Sequence, residues 1–218
     1  AEVSRGIDLV RRNGWPLSIL NMHSLEALIH LLAKETEKAR ASLDKANQIR
    51  SEVKAAPIWL SFFYRSQFEY YLRCLENALR NGRQEECSQY RRNAFNSGKM
   101  LIKTCQKAAL YRTESCRLMG VYKWLIHDQK TASKWWHKAI AEGESLGARP
   151  QLSRTYAEMG IRFYEINDKS LEPDVSMAKE PLQKARTMLR DLGLHHDLED
   201  LRLVMHRTGL EPSESEVF

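Results

Sequence analysis

Glycine and proline are scarce, 10 and 6 in 218 residues, and the common residues are good helix formers. That shortage favours an all-α chain. Cysteine is scarce too. Cys74, Cys87, Cys105 and Cys116 make no Cys-x-x-Cys pair and all fall inside helical patterns. Reduced, partly buried thiols are expected, which suits a cytoplasmic protein. No apolar run approaches eighteen residues and no signal peptide is recognisable, so no membrane span is expected. Lys and Arg form no run as long as a nucleic-acid arm, so nucleic acid is not an expected partner. There is no Gly-x-x-x-x-Gly-Lys-Ser/Thr, no Gly-x-Gly-x-x-Gly and no pair of metal-binding aspartates suited to a cyclase. No catalytic constellation, cofactor or metal is therefore expected in this segment.

Hydrophobic residues make up 43% of the chain and charged residues 28%, a globular rather than a disordered composition. The net charge is +6. Basic and acidic residues interleave almost throughout, so a mixed solvated surface is the simplest reading of the excess. The chain begins at Ala1 without Met, and a piece of a longer polypeptide is expected.

The stretch Ala132–Gly147 recurs as Ala178–Gly193. In both, a small residue is followed four positions on by a bulky one and three further on by Ala: Ala132, Trp136, Ala139 and Ala178, Leu182, Ala185. Ala39, Leu43 and Ala46 repeat the pattern. Cys87 and Ala94 repeat it with Arg91 where the bulky residue belongs. The anchors Ala39, Cys87, Ala132 and Ala178 stand 48, 45 and 46 residues apart. Short side chains let two helices approach closely, and a bulky neighbour fills the hole beside the contact. The punctuation predicts helices over 15–33, 37–54, 57–80, 84–103, 107–126, 129–146, 150–166, 175–192 and 195–206. Residues 1–14 read as a linker or helix remnant, 15–208 as one repeat domain, 167–174 as a longer loop and 209–218 as a frayed acidic tail.

Gly120, Ala132, Trp136 and Ala139 have the spacing of the tetratricopeptide repeat family, where a Gly lies in the first helix of a hairpin and Ala, a bulky residue and Ala in the second. Gly160, Ala178, Leu182 and Ala185 fit with about six inserted residues. The usual repeat is about 34 residues and this one is roughly a dozen longer. With Leu-Gly-Ala-Arg-Pro-Gln-Leu-Ser-Arg-Thr-Tyr at 146–156, the chain resembles the C-terminal array of large bacterial signalling ATPases. These include nucleotide cyclases with an AAA-type ATPase module, related kinases and activators like the maltose-regulon regulator. The resemblance covers 107–205 well and 16–106 more weakly. It implies a right-handed α-superhelix of about four helix hairpins plus a C-terminal capping helix. It also implies a non-catalytic sensor or scaffold at the end of a larger cytoplasmic signalling protein, or the regulatory region of a cyclase or kinase whose catalytic domain lies elsewhere. The partner would be a protein or peptide, another domain of the same chain, or a second copy.

The resemblance places a ligand groove on the first helices of the hairpins. Its residues would be Arg117 and Trp124 around Gly120, Arg154 and Tyr164 around Gly160, and Tyr71 in the second hairpin. Two arginines among three aromatics suit an acidic or carboxylate-bearing partner; the alternative is that the aromatics are core between repeats. The aromatic run Trp59–Tyr71 is open to the same two readings. Trp136 is expected to plug its hairpin, leaving Trp135 to a neighbouring repeat or to solvent. His195-His196-Asp197 reads as a helix start rather than a metal site, because adjacent residues on a helix point about 100° apart.

Overall fold

A computed structural model describes residues 5–9, 14–167 and 176–207. Among the described residues the chain is all-α, with no strand. Nine long helices follow in order: α1 Pro16–Leu32, α2 Thr36–Glu52, α3 Pro57–Arg80, α4 Gln84–Cys105, α5 Arg112–Leu125, α6 Gln129–Leu146, α7 Arg149–Asn167, α8 Ser176–Asp191 and α9 His195–Arg207. Residues 5–9 are also helical. The expected helix over 107–126 is shorter. A 3-10 turn at Ala109–Tyr111 precedes α5, and α4 runs two residues past its expected end. The loop assigned to 167–174 falls, apart from Asn167, outside the described residues, and so does the tail 209–218.

Proline opens α1 and α3, where its missing N–H is not needed. Five helix ends share one geometry. Lys34, Gly82, His127, Gly147 and Gly193 all take φ between 61° and 66°. The next residue's N–H then reaches back five positions: Glu35 to His30 O, Arg83 to Ala78 O, Asp128 to Lys123 O, Ala148 to Gly143 O and Leu194 to Leu189 O. This closes the carbonyls that a helix end leaves open. Three of these ends use the glycine that the conformation favours; Lys34 and His127 do not.

The chain divides into two compact units, Ala1–Ala132 and Ser133–Phe218. In the first, α1 packs on α2 and α3, and α3 packs on α4 and α5. Phe63, Phe68, Tyr64 and Tyr70 of α3 are buried, while Ile58 and Trp59 at its start are exposed. Most of the aromatic run is therefore core. Gly98 of α4 marks a close approach: a Cβ there would lie 2.7 Å from Phe68 Cζ and 2.9 Å from Met119 Cε. In the second unit α7 packs on α8, and α9 on both. Ala178, Leu182, Ala185, Leu189, Leu198, Leu201 and Met205 form the core, with Tyr156, Ile161, Phe163 and Tyr164 against it. Trp136 is fully buried and meets Phe163 edge-on at 6.1 Å. Trp135 is half-buried under the ammonium of Lys138, 5.2 Å from its ring centre.

The small–bulky–small register is buried throughout. Ala39, Ala132, Ala178, Ala46, Ala94, Ala139 and Ala185 are fully covered, and Cys87 nearly so. Arg91 is the exception and lies exposed. Its pair instead buries Leu75, twelve positions before Cys87, where Ala27 and Gly120 stand before Ala39 and Ala132, and where Gly160 stands before Ala178 once the six inserted residues are allowed for.

Candidate interaction surface

α3 and α5 are joined by a network of charged side chains. Arg117 grips Glu114 as a fork, Nε donating to Oε2 at 2.9 Å and Nη2 to Oε1 at 2.8 Å. From α3, Arg65 Nη2 reaches Glu114 Oε1 at 3.4 Å and the carboxylate of Glu69 at 3.3 Å. Glu114 is only 3% exposed, and guanidinium groups from two helices supply the pairing that a buried carboxylate requires. The helical spacing sets this up: Glu114 and Arg117 are three apart, Arg65 and Glu69 four apart. Arg65 Nε and Thr113 Oγ1 are buried and make no hydrogen bond. Tyr111 closes one side, stacked on Phe62 at 5.8 Å. Burial pushes its phenol above the usual tyrosine range, against the pull of the Arg65 charge.

The five residues expected in the groove lie in different surroundings. Arg117 belongs to this network. Arg154, in the second unit, is forked onto Asp197 of α9, with Nε and Nη2 each donating at 2.8 Å. Both arginines thus hold carboxylates of their own chain. Tyr71 is half-buried against Tyr70. Burial raises its hydroxyl's pKa, and the carboxylate of Asp44 on α2 raises it further. Trp124 is half-buried near the end of α5. Tyr164 is half-buried on the apolar core of the second unit.

Sequence reasoning did not single out Arg65, Glu69 and Glu114. The i,i+3 relation of Glu114 to Arg117 was a readable signal. Asp197 gave none, since it lies 43 residues from Arg154. Among the described residues no group of three His, Cys, Asp or Glu could hold a metal ion. His196 pairs with Asp200 at 3.2 Å. None of the four cysteines forms a disulfide, and all four are buried. Burial pushes the Cys105 thiol up to about 11, despite a hydrogen bond with Ser115, so it carries no nucleophilic thiolate near neutral pH. No described helix is long and apolar enough to cross a membrane.

No family model matches the chain, and no curated protein matches it. Among solved structures it is similar to one described as the crystal structure of BtubC (BKLC) from P. vanneervenii. The TM-score is 0.60 and the identity 14%, over 96% of this chain and 82% of that one. At this identity the likeness concerns the fold alone.

Proposed function

We propose that this chain is a non-catalytic protein-interaction module, built as a right-handed superhelix of tetratricopeptide-like helix pairs and working within a larger cytoplasmic signalling protein. The near-constant spacing of buried small residues supports the repeat. So does the turn geometry, which returns at Lys34, Gly82 and His127, five residues before each anchor. In such a stack each pair covers its apolar face with the next, leaving the first helices to line a continuous surface.

The observation that carries the functional reading is the partly open network of Arg65, Glu69, Glu114 and Arg117 on α3 and α5, both first helices. Arg65, its side chain 21% exposed, is the most open member of the network. A peptide laid along these helices would offer it a carbonyl or carboxylate oxygen, with the Phe62–Tyr111 stack as an apolar neighbour. The resemblance at 146–156 supports a narrower version, in which the partner is the catalytic region of a cyclase or kinase in the same polypeptide.

The test is site-specific photocrosslinking in lysate. A photoreactive phenylalanine analogue is placed at Phe62 or Tyr111 and, as a control, at exposed Arg91. Adducts concentrated at 62 and 111, mapping to one peptide, are expected. Equal adduct yield at 91 would overturn the assignment.

A further inference from the structure

α1 is apolar on two opposite faces. Its 17 residues contain Glu26 and no Lys, Arg or Asp. One face buries Leu20, Ser24, Ala27, Leu28 and Leu31 in the first unit's core. The other carries Met22, Leu25, Ile29 and Leu32, and the last three are 37%, 42% and 65% exposed. A helix apolar all round is normally a covered one.

We propose that this strip is a self-association surface, on which α1 of a second copy lies antiparallel. Three observations select that occupant. First, the spacing of the strip is three, four, three, the alternation of a helix–helix seam, and it reads the same in both directions. An antiparallel copy therefore meets it in register, with Met22 opposite the partner's Leu32 and Leu25 opposite the partner's Ile29. This is a two-fold, self-complementary contact. Second, two copies of a chain of net charge +6 repel over most of their surfaces, but α1 presents no Lys or Arg. Its single carboxylate is already held inside the protein by His23 at 3.1 Å and Ser42 at 2.9 Å. Third, helical residues 5–9 already lie at one end of the strip, where a Cβ on Gly6 would be 3.5 Å from Met22 Sδ. The proposed register ends there and occupies the part they leave open. The strip is short, about 15 Å of helix. The pair therefore belongs among weak interfaces, below about 1,200 Å² in total, and forms in a concentration-dependent way.

The experiment is sedimentation equilibrium of the whole chain over a wide concentration range. The mass should rise from 25.4 kDa towards twice that value as concentration increases. Leu25→Asp with Ile29→Asp should weaken dimerisation at least tenfold without changing helicity or melting, because both positions are exposed. Geometry is read separately by mixing a Leu25→Cys chain with an Ile29→Cys chain under mild oxidation. The heterodimer disulfide should form faster than either homodimer disulfide. A chain that stays monomeric throughout, a dimer indifferent to the double aspartate, or homodimer disulfides forming fastest would each overturn the proposal. A monomer would leave the strip to a helix from another protein or from elsewhere in a longer polypeptide. The photocrosslinking at Phe62 and Tyr111 concerns other helices, so either result can fail without the other.

Discussion

The pairs α3/α4 and α7/α8 solve one packing problem in opposite ways. In α7/α8 the first helix carries Gly160 and the second carries Leu182. They meet so closely that a Cβ on the glycine would fall 2.6 Å from Leu182 Cδ2 and 3.1 Å from Ala178 O. In α3/α4 the volume has changed sides. Leu75 on the first helix is fully buried, and Arg91, at the position of Leu182, faces solvent. What the two pairs share is a filled contact, not a residue at a fixed place. Interiors are packed to nearly constant density, so one large and one small side chain satisfy the position from either helix.

The largest expected effect comes from removing the plug that changed sides. Leu75→Ala should cost about 2–5 kcal/mol, read as a lower midpoint in urea with an unchanged slope. If Leu75 were a bystander, the loss would resemble that of a surface substitution. Gly160→Ala is next, at about 1–3 kcal/mol, since Leu182 or the α8 backbone has to shift. Leu182→Ala relieves the clash, so the double variant should cost less than the sum of the two singles. Simple additivity would mean that the two side chains do not share the contact.

How far this was readable in the sequence varies from residue to residue. The anchors at 39, 87, 132 and 178 and their alanine partners were legible, because small residues recurring at a helical interval mark the line along which two helices touch. The turns at Gly82, Gly147 and Gly193 were legible through glycine. The turn at Lys34 was expected in place, between 33 and 37, but not in geometry, because a left-handed lysine leaves no mark in composition and is imposed by the helices it joins. The start of α5 was misplaced because nothing at 107–111 signals that the helix gives way to a 3-10 turn. Arg117 and Arg154 were found as candidate groove residues. Their carboxylate partners were not, since one partner is distant in sequence and side-chain pairing is decided in space.

A third pair separates apolar volume from polar fastening. α1/α2 follows the α7/α8 arrangement, with Ala27 on the first helix and Leu43 on the second, both buried. It adds a clasp, Ser42 Oγ donating to Glu26 Oε2 at 2.9 Å. Burial raises the pKa of Glu26, but hydrogen bonds from His23 and Ser42 outweigh it and hold the group below the usual carboxylate range. A depressed folded-state pKa adds stability that is complete above the ordinary glutamate range and is lost as pH falls through the folded value. Ser42→Ala should therefore cost about 1 kcal/mol near neutral pH and less in acid, where wild type has lost the same contribution. Urea melts at both pH values check this. A cost independent of pH would show that Ser42 acts by packing alone.

The smallest expected effect is at Arg91, and it discriminates best between the two pairs. If α3/α4 used its second helix as α7/α8 does, Arg91 would bear on the contact. Its replacement would then be felt like a core substitution. With Leu75 already filling the space, Arg91→Leu in the wild type should stay within about 0.5 kcal/mol of neutral. The same change on a Leu75→Ala background meets an empty site at the position where Trp136 and Leu182 are buried elsewhere in the chain. There the leucine can turn inward and restore apolar contact, recovering on the order of 1 kcal/mol of the loss. The sign of the coupling between positions 75 and 91 is the quantity to measure. A negligible effect alone together with a recovery in the double variant requires both positions to open on one cavity. Equal effects on both backgrounds would mean that Arg91 lies too far round the helix to reach it, and the exchange of volume between helices would then be wrong for this pair.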